Sequence, residues 1–375
     1  MSIDIREIRT KSELKRFVRF PFDLYRKDPH WVPPFIKGEL ETLSPEGNPA
    51  FEYCEALYLM AFRNGKALGR IAGIINPRFN ESWKNKDARF CWFDVIDDLE
   101  VSRALFHHLE KWAAQKGKTR LVGPMGFTTF ERQGMLTQGF DEMPTFSGCY
   151  NFSYYPEHLR QLGFSTEIQY VEYELKVPEK VPDKIVRISN LIRERYGLRI
   201  IEGKSLKQML PYADPVFRVI NAAYKPLYGF TDLTEKQIAY FVKKYFSFLR
   251  PDFVSVVLDE EDQVLAFQIS VPSLTRALQK ARGRMLPFGW YHLMKAMRKP
   301  KRLDTMLTGV LPEWQSKGVN AVFMVHLTDA AIRNGIVYAE SNGELAENIK
   351  VQNIWRYFER RQHRQSQIFG KQING

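Results

Sequence analysis

The sequence predicts an α/β fold, α+β in its mixed sheets, built as two similar domains in tandem. Three observations predict it. The chain has 375 residues, enough for two domains at roughly 100–200 residues each. Its 44% hydrophobic and 14% aromatic content suffices to fill two cores. Strand-like and helix-like periodicities alternate along the chain, and one order of elements occurs twice. The segment "KVPEKVPDK", 176–184, holds two prolines and five charges in nine residues and separates the two runs. The expected domains are therefore 1–178 and 185–375.

The first run opens with the strand "IDIREIR" and the helix "KSELKRFVRFPFDLYR", and the prolines of "WVPPF" then break regular structure. "ALYLMAFRNGKALGRIAGIINP" is a hairpin, because Asn64-Gly65 between apolar runs favours a two-residue turn. "RFCWFDV" is a buried strand. "DDLEVSRALFHHLEKWAAQKG" is a helix with an acidic start, Gly117 as its stop, and Val101, Leu105, Leu109 and Trp112 at helical spacing. "TRLVGPM" is a strand, "YYPEHLRQLGF" a short helix, and "IQYVEYELKV" an alternating strand.

After the linker the order restarts. "LRIIE" is a strand, and "LPYADPVFRVINAAYKPLY" and "TEKQIAYFVKKYFSFL" are helices. "DFVSVVLDEEDQVLAFQISVP" is a hairpin that aligns with the first, setting Ala266 against Gly69. An insert at 280–302 interrupts. "LDTMLTGVLP" is a strand, "VNAVFMVHLTDAAIRNG" a helix closed by Gly335, and "IVYAES" a strand. "ENIKVQNIWRYFERR" is a helix and "RQSQIFGKQ" a last strand.

Net charge is +12, which suits a polyanionic ligand, nucleic acid or an anionic membrane face. It is uneven. Lys280, Arg282, Arg284, Lys295, Arg298, Lys299, Lys301 and Arg302 fall in a stretch with no acidic residue. Among them lie Met285, Leu286, Phe288, Trp290, Leu293 and Met294, a basic and aromatic composition suited to a lipid surface. It reads equally as a connection packed at a domain interface. No run of 18 apolar residues is present, and the charged N-terminus lacks the apolar core of a signal peptide. Three scattered cysteines give neither a disulfide framework nor metal spacing. A cytoplasmic location is expected, with the insert offering peripheral contact to the inner membrane face, and no metal.

"TGVLPEWQSKGVNAVFMVHL", 308–327, reads as a strand, a Pro-bearing loop and a helix start. The first N–H groups of a helix lack intrahelical partners and sit at the positive end of its dipole, so phosphates dock there. Gly318 supplies the small residue, and Gln315 and Lys317 supply donors and charge. An ordinary helix start is the alternative.

These residues resemble the acyl-CoA loop of the GCN5-related N-acetyltransferase (GNAT) superfamily, Val-x-Pro-x-x-[Arg/Gln]-x-x-Gly-x-[Gly/Ala]. Val310, Pro312, Gln315 and Gly318 match, while Asn320 stands at the last position with Ala321 one step on. The resemblance implies a pantetheine arm along the edge Met306–Leu311, including Thr308 and Val310. It implies a pyrophosphate on Gln315, Ser316, Lys317, Gly318, Val319, Asn320 and Ala321, with Asn348 opening the following helix. It further implies direct attack of an amine on an acetyl-CoA or longer acyl-CoA thioester, without an acyl-enzyme. Glu340, at the end of the fifth strand, is then the general base, or else a strand-end surface glutamate. The family's helix tyrosine falls at Trp355, and Tyr357 is the displaced candidate for the acid. Core packing is the other reading of both.

The first half has acids, "IDDLEV", where phosphates would sit, so this copy is expected to be degenerate and not to bind CoA. Its irregular segments "GPMGFTTFERQGMLTQGFDEMPTF" and "GCYNFSYYPEHLRQLGF" resemble loops of bacterial tandem GNAT-like proteins that include ceramide synthases. Gly126 stands where those proteins carry Asn. The resemblance implies an acceptor, a small-molecule or lipid amine, near Phe127, Glu131, Asn151, Tyr154 and Tyr155, with Trp290 of the insert. Two alternatives stay open: an acyl-CoA-binding protein without catalysis, and a tandem GNAT transferase that takes its acyl group from aminoacyl-tRNA. Apart from the insert no basic stripe favours nucleic acid.

Overall fold

The computed structural model describes residues 2–203 and 205–373. The chain divides into two compact units, Met1–Val171 with Leu278–Gly289 and Arg364–Gly375, and Glu172–Ala277 with Trp290–His363. The sequence pattern suggested a single boundary at 178–185. Instead the chain returns twice to the first unit, so 278–289 and 364–375 belong there.

In the first unit β1 (Asp4–Glu7) lies antiparallel to β2 (Glu55–Arg63), and β2 turns into β3 (Lys66–Ile75). The turn residues Asn64 and Gly65 have φ of 51° and 76°, the positive values that a tight hairpin needs. β3 is antiparallel to β4 (Asp87–Val95), and β4 is parallel to β5 (Arg120–Gly123). The helix Leu99–Gln115 makes that crossover and buries Val101, Leu105 and Leu109, the predicted stripe. β6 (Met135–Gln138) lies inside a segment the sequence left irregular. β7 (Ser165–Lys176) follows, and the C-terminal strand pairs antiparallel with β5.

The second unit repeats this order. After the helix Asp183–Tyr196 come β8 (Arg199–Ile201), β9 (Val254–Leu258) and β10 (Val264–Pro272), an antiparallel series. β11 (Arg302–Val310) is antiparallel to β10 and parallel to β12 (Tyr338–Ser341), with the helix Asn320–Arg333 as the crossover. β12 pairs with Glu174–Lys176 of β7. β13 (Glu344–Leu345) and β14 (Arg360–Gln372) complete the strands. The predicted equivalence of Gly69 and Ala266 is visible in the register. Gly69 pairs with Val95, the end of β4, and Ala266 pairs with Val310, the end of β11.

The helix expected over "ENIKVQNIWRYFERR" is broken. One turn, Ile349–Gln352, is followed by a 3-10 segment, Asn353–Tyr357. The Arg360 guanidinium donates to the Gln352 carbonyl at 2.5 Å, taking the acceptor that a continuing α-helix would offer to residue 356. The insert is structured, as the helices Thr275–Ala281 and Gly289–Arg298. Among the described residues no helix is long and apolar enough to cross a membrane, and no cluster of His, Cys, Asp or Glu is placed to hold a metal ion.

Candidate active site

The site of the second unit begins with a break in the sheet. β11 pairs with β12 only as far as Thr305 with Ser341. One residue later a β-bulge at Met306 shifts the register against β10, from Ser270–Thr305 to Ile269–Leu307. A bulge bends its strand and changes which backbone groups face which neighbour. From here β11 stays on β10 and leaves β12. Groups of alternate residues then face the vacated edge. Asn342 Nδ2 donates to the Met306 carbonyl at 3.1 Å. The Tyr224 hydroxyl donates to the Thr308 carbonyl at 3.0 Å and accepts from the Thr308 N–H at 3.2 Å. Gln315 Nε2 donates to the Val310 carbonyl at 3.2 Å. Thus the structure brings Thr308, Val310 and Gln315 together at one edge.

The edge runs into the 3-10 turn Pro312–Trp314 and then the helix Asn320–Arg333, whose N-terminus receives no side-chain cap. Gly318 has φ of +78°, and a Cβ there would meet only Ile192 and Ile188, the nearest atom at 3.5 Å, in ordinary contact. Its glycine is therefore required by backbone conformation more than by room. Lys317 lies 3.9 Å from the Trp314 ring and 5.5 Å from that of Tyr196, so aromatic faces hold its ammonium beside the loop. Val319 and Ala321 are buried. Ser316 and Asn320 sit at the loop end and the first helical turn. Asn348 caps the next turn, accepting from the Val351 N–H at 3.3 Å.

The expected catalytic side chains divide differently. Glu340 lies on the paired part of β12, and Arg302 clamps it together with Glu174, which accepts from Arg302 at 2.5 Å and from Arg361 at 3.1 Å. Burial pushes the Glu340 carboxyl up and the Arg302 guanidinium opposes it. Glu344, which the sequence did not single out, lies three residues past Ser341, the last residue paired to β11. One of its oxygens accepts from the Trp355 indole N–H at 2.5 Å, and the other is buried without a hydrogen-bond partner. Burial pushes this carboxyl up to about 7, against hydrogen bonds from Trp355 and Ser341 and the charge of Arg360. Trp355 is buried, lining an apolar pocket with Leu175, Met324, Leu327 and Ala331. Tyr357 accepts from Arg356, and its ring lies 5.6 Å from the Lys184 ammonium. Burial pushes the Cys54 and Cys91 thiols up to about 12, so neither offers a thiolate nucleophile.

The first unit carries the same bulge, near Trp92, and groups of the same unit bond the strand on both sides of it. Met125 N–H donates to the Phe90 carbonyl at 2.9 Å. The Tyr155 hydroxyl accepts from the Val95 N–H at 2.8 Å, and the Tyr154 hydroxyl donates to the Val95 carbonyl at 2.7 Å. Asp98 caps the helix start, accepting from the Glu100 N–H at 3.0 Å and from Arg63 at 3.0 Å. The remaining residues expected to meet an acceptor are also committed to the unit. Phe127 is fully buried, and its carbonyl accepts from Asn76 at 3.1 Å. Glu131 accepts from the Thr128 N–H at 2.6 Å. Asn151 accepts from the Leu136 N–H at 2.7 Å. Sequence pattern cannot separate such polar loop residues from ligand contacts, because both are polar groups in irregular chain. In the insert, Trp290 is 44% exposed, beside Phe288 at 69% and Leu286 at 75%.

Comparison with known proteins bears on the fold. No protein-family model matches the chain. It is 24% identical over 376 residues to Protein YghO of Escherichia coli (strain K12), covering 98% of this chain and 95% of the relative. It is 28% identical over 333 residues to a bacterial ceramide synthase of Caulobacter vibrioides (strain NA1000 / CB15N), covering 83% of this chain and 84% of the relative. Among solved structures, a tandem GNAT protein from the clavulanic acid biosynthesis pathway superposes with a TM-score of 0.56 at 12% identity, covering 100% of this chain and 99% of that one. A GCN5-related N-acetyltransferase from Sphaerobacter thermophilus gives 0.50 at 9% identity, covering 100% and 96%. The chain has the tandem GNAT fold.

Proposed function

We propose that the second unit binds an acyl-CoA and transfers its acyl group directly to an amine, and that the first unit carries no second acyl-CoA site. The observation that carries this is the continuous path from the part of β11 that β12 leaves unpaired, past Thr305, to a helix start at Gly318 that no side chain caps. A pantetheine arm is a chain of amides, and the alternate groups at Met306, Thr308 and Val310 offer it strand-like pairing. The helix start, which no side chain caps though Ala321 and Val322 N–H donate to the Gly318 and Val319 carbonyls, suits the pyrophosphate through its dipole and Lys317. Glu344 is the base in this proposal. It has a bare oxygen and titrates near neutral pH, whereas Glu340 is held by Arg302. Tyrosine hydroxyls bond the strand backbone in both units, and what sets the first apart is the Asp98 carboxylate that caps its helix start, where the second unit has no side-chain cap.

The likeness to a ceramide synthase supports a long-chain acyl donor and a lipid amine acceptor. The exposed apolar residues of the insert among its bases support contact with an anionic membrane. Binding-only function is the second reading, and Trp355 in place of the helix tyrosine favours it. Release of free CoA, measured over a panel of acyl-CoAs against small amines and sphinganine, decides between them. Acyl-CoA binding without release by any amine would sink the catalytic proposal. For the membrane, the protein should co-sediment with vesicles holding about a third phosphatidylglycerol. The double variant F288A/W290A should reduce this several-fold, and so should raised salt. Equal sedimentation of variant and wild type would remove the insert from the interface.

A further inference from the structure

We propose that Tyr224 is a catalytic residue, its hydroxyl joining the Thr308 N–H as a second hydrogen-bond donor to the thioester oxygen. The proposal rests on the acyl-CoA reading above. Along this edge, Asn342 and Gln315 each donate to a carbonyl. Tyr224 both accepts from the N–H and donates to the carbonyl of one residue, Thr308. A thioester oxygen can only accept. Where it takes the Thr308 N–H, it displaces the phenol oxygen from that bond and meets the phenol hydrogen beside it. Rotation about the C–O bond turns that hydrogen from the Thr308 carbonyl to the arriving oxygen. Two donors then converge on one acceptor, the arrangement that stabilises negative charge developing on a carbonyl oxygen.

The placement is fixed from both sides. Tyr224 is the last residue of the helix Ala213–Tyr224, which buries Val216, Val219, Ile220 and Ala223. Its ring meets that of Phe230 edge-on with centroids 5.7 Å apart. Burial pushes the phenol up to about 12, so it keeps its proton at neutral pH and acts as a donor, not as a base. In the reaction the amine nitrogen bonds to the carbonyl carbon and the C=O electron pair moves to the oxygen, held by Thr308 and Tyr224. The pair returns as the C–S bond breaks and CoA leaves as the thiolate. The proton of the attacking amine goes to the base, and Tyr224 neither gains nor loses one. The opposing reading makes Tyr224 a filler of the edge, as Tyr154 and Tyr155 are in the first unit.

The two readings give opposite results for Tyr224→Phe, assayed with hexadecanoyl-CoA labelled with carbon-13 at the carbonyl. If Tyr224 is a donor, the labelled C=O stretch in the wild-type complex lies at lower frequency than in water, and the variant loses part of that shift. With sphinganine as acceptor, kcat then falls roughly 10²–10³-fold while the KM for the acyl-CoA changes less than about threefold. If Tyr224 is a filler, the variant binds hexadecanoyl-CoA more tightly with an unchanged carbonyl frequency, and the proposal is overturned. Should the phenylalanine variant not fold, 3-fluorotyrosine at 224 keeps the shape and strengthens the donor. It must move the stretch further down, and an unmoved stretch overturns the proposal. Absence of hexadecanoyl-CoA binding to wild type and variant alike removes the acyl-CoA reading itself, and this proposal with it.

Discussion

Glu344→Gln is expected to lower kcat roughly 10²–10⁴-fold, the usual contribution of a general base, while acyl-CoA binding stays intact. An amine attacking a thioester must lose a proton, and at neutral pH it begins largely as the ammonium ion. The base therefore needs an affinity for protons close to the working pH. Glu344 meets this because burial raises its carboxyl to about 7, and because one of its oxygens has no hydrogen-bond partner. Wild-type kcat/KM should rise with pH through about 7 and then level, and the variant should lose that inflection. Glutamine still accepts from the Trp355 indole, so the geometry around it survives. Glu340→Gln should act differently. It breaks the ion-pair network of Arg302, Glu174 and Arg361, so its main effect is on stability. A variant at 344 that retains wild-type kcat and its inflection would exclude Glu344 as the base.

The same carboxyl has a second signature. In the unfolded chain it ionises from about 4.5, and in the folded chain it stays neutral up to about 7. Between those values the folded state holds a proton that the unfolded state has lost. Stability from this group is fully present below about 4.5 and is lost as pH rises through about 7. The Glu344→Gln variant keeps a neutral side chain throughout. Relative to wild type it should gain up to about 3 kcal/mol between pH 4 and pH 8. Denaturant titrations at both pH values measure this directly, and they do so without any knowledge of the amine.

Much of the architecture was legible because it rests on local rules. Asn64-Gly65 marks a hairpin by its backbone preference, Val101, Leu105 and Leu109 mark a buried helix face, and the loop at Gly318 carries its own spacing. The parts that stayed hidden are tertiary. Nothing in "LDTMLTGV" announces a bulge at Met306, since no glycine or proline occupies that position, yet the pairing of β11 with β12 ends beside it. Tyr224 reads as one more aromatic residue on an amphipathic helix, and only the fold brings it to Thr308, 84 positions away. Glu344 gains its proton affinity from burial, which no local pattern around it encodes. Tyr154 and Tyr155 show the converse. An aromatic, polar loop looked like a place for a ligand, and the fold uses it to close the first unit's own strand edge.

Gly318→Glu is expected to weaken acyl-CoA binding about 100-fold while leaving the protein folded. Two effects on stability oppose each other. A non-glycine residue at φ of +78° costs roughly 1–2 kcal/mol. A carboxylate at an uncapped helix start returns roughly 0.3–1 kcal/mol by interacting with the same N–H groups and the dipole. The net loss of stability is thus about 1 kcal/mol, which a melting curve resolves. Steric exclusion is small, because the added Cβ meets only Ile192 and Ile188, in ordinary contact. The effect on binding is therefore electrostatic: the new carboxylate occupies the donors and repels the pyrophosphate. Gly318→Ala isolates the conformational part and should weaken binding only several-fold. Lys317→Gln removes one charge and should do likewise, with a shallower salt dependence. Calorimetric titration with hexadecanoyl-CoA and with free CoA separates these contributions, since both ligands carry the pyrophosphate and only one carries the acyl chain. The Gly318→Glu substitution must weaken both ligands alike, because the contact it destroys is common to them. If the glutamate variant binds both as wild type does, the pyrophosphate lies elsewhere and the helix start at Gly318 is a structural turn alone.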